Sequence, residues 1–293
     1  MNGIEYCHTV SKLRKTALQL MVSIKLRGAS AMQVTDNAYQ GHRIFAELQR
    51  YMEFYEQLAM SVFSFVTMGT KAIWNVDTYV YSSMQGTVES MRTILLAGRI
   101  NDAYALLRKY YDSAVINVYS NLYLHDHFSI ENFIVEKINN WLKGKDRLPE
   151  YRVMSQYIRD SEALKPINDV LNADDRYKRL RDRCNDHAHY NFFRHAMLND
   201  SNIHIDNRGW WLERFSEDVR DIFILHLGYI FFLNGHYMMS SDYLDALECG
   251  MQPEEDSQYW VATFIQEIFD EVITPRRSDV TAAIRSNSTM QLS

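Results

Sequence analysis

Apolar positions in this chain return every three or four residues over most of its length, the spacing of one face of an α-helix. Phe45, Leu48, Met52, Tyr55, Leu58 and Val62 form one such stripe and predict a helix over 41–68. A second is predicted over 76–97, stopped at Gly98 in the position of a C-cap. A third opens at Asn101, a good N-cap, and carries DAYALLRKYYDSAVINVYSNLYL. Shorter helices are predicted over 130–142 and 151–164, with a turn near Pro166. Asp174 and Asp175 put carboxylates where a helix N-terminus favours them, and the basic helix they open is predicted to run to about residue 199. NIHIDNRGWW alternates polar and apolar residues and predicts a small hairpin. Helices over 211–247 and 257–273 complete the pattern, and residues 276–293 follow Pro275 as a flexible polar tail.

Composition agrees with this pattern. Four prolines and eleven glycines in 293 residues are too few for the turns of a sandwich or barrel, so long helices with short connections are expected. The expected architecture is all-α, one helical bundle over 41–275 with an N-terminal helical extension over 1–40. That extension interleaves basic and apolar residues, and with Glu5 and no cleavage-like boundary it reads as an ordinary amphipathic helix rather than a transit peptide. The most apolar window, IFILHLGYIFFLNGHYMM, is long enough to span a bilayer, but His226, Asn234 and His236 are expensive in hydrocarbon. A helix buried at the centre of the bundle accounts for it better, with no membrane partner. Cys7, Cys184 and Cys249 are widely spaced and form no CxxC pair, which suits a reducing, cytoplasmic compartment without a disulfide framework or a zinc ribbon.

The formal charge of −6 gives no global case for nucleic acid, so a local basic surface would have to supply one. RLRDRCNDHAHYNFFRH, residues 179–195, is that surface, preceded by Arg176 and Lys178. A solvated charged face, with Asp174, Asp175 and Asp182 as counter-charges, explains its first half. It leaves unexplained why the same helix continues into Asn185, Asp186, His187, His189 and Asn191. A metal site fits poorly. Residues two apart on a helix diverge by about 200°, so neither His187/His189 nor His125/His127 can chelate one ion, and no HExxH or cysteine-rich spacing is present. The His125–Asp126 doublet is shared with HD-type metal phosphohydrolases, a two-residue match of little weight. GxSxG, P-loop and GxGxxG signals are missing; Cys184 beside arginines would have a lowered pKa if solvated, although a packed cysteine is the commoner case. Histidine can both take and give a proton near neutral pH, and arginine offers a fixed fork of donors to a phosphate. Together they suffice for RNA cleavage by an internal 2′-hydroxyl, without metal or cofactor.

RDRCNDHAHYN resembles the R-x(4–6)-H signature of HEPN domains, helical bundles found in many bacterial toxin and defence ribonucleases. AGRINDAYALLRKYYDSAVINVY is similar to the glycine turn and LLR helix that precede the motif in abortive-infection HEPN proteins, and the resemblance covers about 41–247. It implies a metal-independent endoribonuclease acting on RNA, as a toxin or anti-phage effector. Two frames fit, Arg183 with His189 (preferred for its Ala-His ending) and Arg181 with His187; Asn185 and Asp186 would orient the site. Cys184 stands where the family usually has a polar residue, and Arg220–His226, RDIFILH, repeats the spacing incidentally in an apolar helix. RNA contacts are expected from Arg176, Lys178, Arg179, Tyr190 and Arg194, with Phe192 also able to stack on a base. Residues six apart on a helix lie about 120° apart, so one chain cannot close Arg183 and His189 on one phosphate. The resemblance implies a two-fold homodimer whose motif helices line one cleft. An antitoxin or defence-system partner would fit the same biology. The alternative is a catalytically silent dimeric binding or regulatory module.

Overall fold

The structure, a computed structural model, describes residues 32–65, 76–129, 131, 134–203, 205 and 207–293, without the side chains of 63–65. Most of the expected N-terminal extension, 1–31, lies outside the described residues.

The helical spacing becomes helices. α1 (Ile44–Phe65), α2 (Val76–Leu96) and α3 (Ile100–His127) are the three long elements of the first half. Short helices follow: α4 (Glu136–Leu142), α5 (Tyr151–Arg159), α6 (Lys165–Leu171), α7 (Arg176–Ala188) and α8 (Phe193–Met197). Then come α9 (Arg208–Leu233), α10 (Asp242–Glu248), α11 (Thr263–Ile268) and α12 (Ser278–Asn287). Among the described residues no strand forms beyond two isolated bridges, so the class is all-α.

α1 lies along α2 and α2 along α3, while α3 also carries α9, α7 and α5 on its remaining faces. α3 is therefore the centre of the bundle, and its buried Tyr104, Leu107, Tyr110, Ala114 and Val118 follow helical spacing. α9 is apolar nearly all round and buried from Ile222 through Phe231, as expected of a central helix. Among the described residues no helix is long and apolar enough to cross a membrane.

The turn after α2 is the one that glycine was expected to make. Gly98 has φ 79°, its N–H donates to the Leu95 carbonyl (2.8 Å), and the Arg99 N–H donates to the Ile94 carbonyl (3.0 Å). This is a Schellman closure. A Cβ at Gly98 would also lie 2.5 Å from the Val34 side chain, so space and backbone both demand glycine.

Several expectations change. The helix expected over 257–273 becomes a single tight turn at Ser257–Tyr259, then α11 from Thr263, and a wider π turn over Phe269–Ile273. The basic helix stops at Ala188 rather than near 199, because Tyr190 turns the chain into the left-handed region at φ 50°. Among the described residues no hairpin forms after it, and α9 begins already at Arg208. The helix expected over 211–247 breaks at Asn234, whose φ of −135° leaves helical space before a single tight turn, Gly235–Met238. Residues 276–293, expected as a loose tail, contain α12 (Ser278–Asn287), whose Val280 and Ile284 are fully buried against the bundle. Its polar residues misled because the apolar positions 280 and 284 are only two, one helical turn apart.

Candidate functional site

α7 begins where Asp174 Oδ1 accepts the Arg176 backbone N–H (2.9 Å), a bond that holds the carboxyl below its usual range and satisfies one orphan donor of the helix start. Tyr177, Leu180, Cys184 and His187 recur at three and four residues and face the core. The polar residues left over divide into two flanks, and the arginines of the motif fall on different ones.

Arg183 takes the flank towards α9. Its Nε donates to Asp218 Oδ2 (2.9 Å) and its Nη2 to Oδ1, and the Asp218 side chain is 1% exposed. The Tyr104 hydroxyl donates to the same carboxylate at 3.2 Å, and Arg214 lies 3.7 Å away. Burial pushes the Asp218 carboxyl up; Arg183 opposes it. Arg183 is therefore the counter-ion of a buried carboxylate, and its fork is turned inward.

His187 lies in the core beside this pair, 1% exposed. Its ring stacks between Tyr104 and His195, both at 3.9 Å between centroids, with Trp211 edge-on to both imidazoles. Nδ1 donates to Asn101 Oδ1 (2.9 Å), which places the proton of the neutral ring on that nitrogen. Burial first, then His195, Arg194 and Arg183, lower its pKa to about 3, so the ring stays neutral and out of solvent. Neither property suits an acid–base group for RNA. Cys184 is also fully buried, and burial pushes its thiol up to about 12, the opposite of an activated thiolate.

The other flank faces the solvent side of α3. Arg181 Nη1 donates to Asp112 Oδ1 (2.7 Å), and its guanidinium lies 3.1 Å from the centroid of Tyr151. Arg108 pairs with the same Asp112 (3.1 Å) and donates through Nη1 to Asn185 Oδ1. Asn185 is four residues beyond Arg181, and His189 four beyond that, so the three lie on one stripe. His189 is exposed at the C-cap of α7. Two part-buried guanidiniums, an amide and an exposed imidazole thus share a flank, on which Asp112 is the carboxylate both arginines use among the described residues. Arg108 and Asp112, on α3, were not singled out from the sequence. Their signal was the spacing of LLRKYYD, a favourable i,i+4 ion pair on a helix already of interest.

Beyond His189 the chain folds back in a second Schellman closure. The Asn191 N–H donates to the Asp186 carbonyl (3.0 Å) and the Tyr190 N–H to the His187 carbonyl (3.4 Å). Asp186 is spent on this turn: Oδ1 accepts from Asn191 Nδ2 (2.8 Å) and its carbonyl from His195 Nδ1 (3.1 Å). The turn leaves Tyr190, Phe192, Phe193 and Met197 exposed, Phe193 by 81%, with Trp210 (58%) from the start of α9. The Arg194 guanidinium lies between the Phe192 and Trp211 rings, 5.2 and 5.5 Å from their centroids.

The remaining basic residues answer to the solvated-face reading. Arg176 pairs with Asp174 (3.2 Å) and Asp221 (3.4 Å), Arg179 pairs with Asp175, and Lys178 is exposed. In the incidental repeat, Arg220 binds Glu47 and Ser216 while His226 is wholly buried. The His125–Asp126 doublet is exposed at the end of α3, with Asp126 accepting the Tyr157 hydroxyl (2.6 Å). Among the described residues no three His, Cys, Asp or Glu side chains are placed to hold one metal ion.

No protein-family model matches the chain, and no curated protein and no solved structure matches it. Function is therefore argued from this geometry.

Proposed function

We propose that the chain is an RNA-binding module whose contact surface is the exposed end of α7, and that its Arg183/His189 pair is catalytically silent within one chain. The observation that carries this reading is the left-handed turn at Tyr190, which presents Tyr190, Phe192, Phe193 and Trp210 to solvent around Arg194 and His189. Exposed rings interleaved with a guanidinium are what single-stranded RNA uses, with bases on the rings and phosphates on the cations. Arg108 and Arg181 extend the positive surface along the α7 flank. The silence follows from Arg183 being spent on Asp218, on the flank away from the Arg181–Asn185–His189 stripe.

A second reading is the metal-independent endoribonuclease of the HEPN resemblance, with a toxin or defence role resting on that resemblance alone. One observation favours it: His189 is exposed, one turn beyond an Asn185 held by Arg108. In a two-fold pair His189 of each chain would act as the acid–base group, and Arg108 or Arg181 of the other would meet the phosphate.

One experiment separates the two. Purified protein is mixed with single-stranded RNA in EDTA, following binding by fluorescence anisotropy and cleavage on a gel, with Phe192→Ala, Arg194→Ala and His189→Ala beside wild type. Salt-sensitive binding that weakens about tenfold in Phe192→Ala, without cleavage, is expected of the module. Cleavage lost in His189→Ala supports the enzyme instead. No binding overturns both.

A further inference from the structure

A second polar centre lies away from α7, in a cleft of about 290 Å³ where α2, α3 and the end of α9 meet. Its floor is Asp77, 5% exposed. Asn117 Nδ2 (2.6 Å) and Asn121 Nδ2 (2.8 Å) donate to Asp77 Oδ1, and the Tyr237 hydroxyl donates to Oδ2 (3.0 Å). These donors fix the direction of a longer buried chain. With its amide nitrogen on Asp77, Asn117 turns Oδ1 to His226 and accepts from Nε2 (2.8 Å). The other imidazole nitrogen, Nδ1, is then bare and accepts from the Tyr55 hydroxyl (2.8 Å), whose oxygen accepts from Tyr110 (2.7 Å). Every proton in the chain can point towards Asp77, so both of its oxygens are placed as acceptors, while burial pushes the carboxyl up against these donors.

That carboxyl has neutral hydrogen-bond partners and, among the described residues, no paired Lys or Arg to offset its burial. A cation beside it would supply that offset and favour the charged form. The same cleft holds a second unmet demand. Asn234 is 8% exposed, and its Nδ2 is buried without a hydrogen-bond acceptor among the described residues. Leu124, Phe128 and Leu233 supply apolar walls, and the Tyr237 ring adds an aromatic one.

We propose that this cleft binds a small primary ammonium ion bearing a neutral oxygen acceptor, the chemistry of an aryl or alkyl amino alcohol. The ammonium donates to the lone pair left on Asp77 Oδ2, the ligand oxygen accepts from Asn234 Nδ2, and the hydrocarbon body lies against Leu124 and Phe128. An amino acid fits less well, since its carboxylate would sit beside Asp77. The site owes nothing to the α7 surface and stands or falls separately from RNA binding.

The test is calorimetric titration of the full chain with 2-amino-1-phenylethanol, with phenylethane-1,2-diol as its uncharged analogue and 2-phenylethylamine as the analogue without the hydroxyl. The amino alcohol is expected to bind at least about tenfold tighter than either. Asp77→Asn should abolish the preference for the amine, and Asn234→Leu should abolish only the preference for the hydroxyl. Because Asp77→Asn also disturbs the buried chain, Leu124→Trp, which fills the cleft from its rim, is the companion variant and should remove binding with the fold intact. Equal binding of amine and diol, binding that survives Leu124→Trp, or no binding at millimolar amine would each overturn the proposal.

Discussion

Arg181 and Arg183 leave the same helix two residues apart and meet opposite surroundings. Arg183 reaches α9 and neutralises a carboxylate that is 1% exposed; Arg181 reaches α3 and shares with Arg108 a carboxylate that is 36% exposed. The first arginine holds the fold together. The second holds a carboxylate that can return to water, so its ion pair is the cheaper one to break even though its own side chain is 17% exposed. A run of basic residues therefore has no single meaning: the helix across from each residue decides which cations are structural and which are available.

The sharpest way to break this comparison is Arg183→Ala. Leaving Asp218 with only the Tyr104 hydroxyl and the more distant Arg214 should cost up to about 3–5 kcal/mol, and Arg183→Ala combined with Asp218→Asn should recover a large part of it. Chemical denaturation measures both, and a stable single variant would erase the distinction between the flanks. Acid comes next. His187 and His226 are both neutral when folded, with pKa lowered from 6.5 to about 3 by burial. The unfolded chain binds protons first, so their contribution is whole above pH 6.5 and is lost as pH falls from there towards 3. Unfolding midpoints measured between pH 7.5 and 4 should fall, and replacing His226 by Gln should flatten that slope. A pH-independent midpoint would count against neutral burial.

Arg181→Ala should be milder, about 1 kcal/mol, for the loss of its Tyr151 contact and a half-solvated ion pair. It should weaken RNA binding and reduce its salt dependence, whereas equal RNA affinity would place the phosphate elsewhere. Smallest is Tyr190→Gly. A non-glycine residue in the left-handed region costs roughly 1–2 kcal/mol, partly offset by the entropy that glycine loses on folding. A net stabilisation of about 0.5–1 kcal/mol is expected together with weaker RNA binding, read from thermal melts and anisotropy on the same sample.

Gly98 and Tyr190 show what the sequence made legible. Both close a helix by the same pair of backbone bonds. Glycine advertised the first turn; tyrosine concealed the second, so the basic helix was expected to run about ten residues too far. Helical spacing located the long helices and the buried character of α9, because burial repeats over many turns there. It missed α12, with only two deeply buried positions in its register. At the motif, the residue types were informative and their directions were not. Asp218, the partner of Arg183, and Tyr104, which bonds the same carboxylate, lie 35 and 79 residues from Arg183 along the chain, separations that local spacing cannot relate.

Arg277 gives the end of the chain a role in timing. It is 6% exposed, pairs with Asp279 on α12, and reaches back to the Val170 carbonyl (3.2 Å) and the Tyr177 hydroxyl (3.4 Å) at the start of α7. Tyr177 and Arg277 are separated by 100 residues, about 5–20 s of ribosomal synthesis. For that interval the Tyr177 hydroxyl and the Val170 carbonyl lack this donor, so the guanidinium tie between α6, α7 and α12 is among the late contacts of the fold.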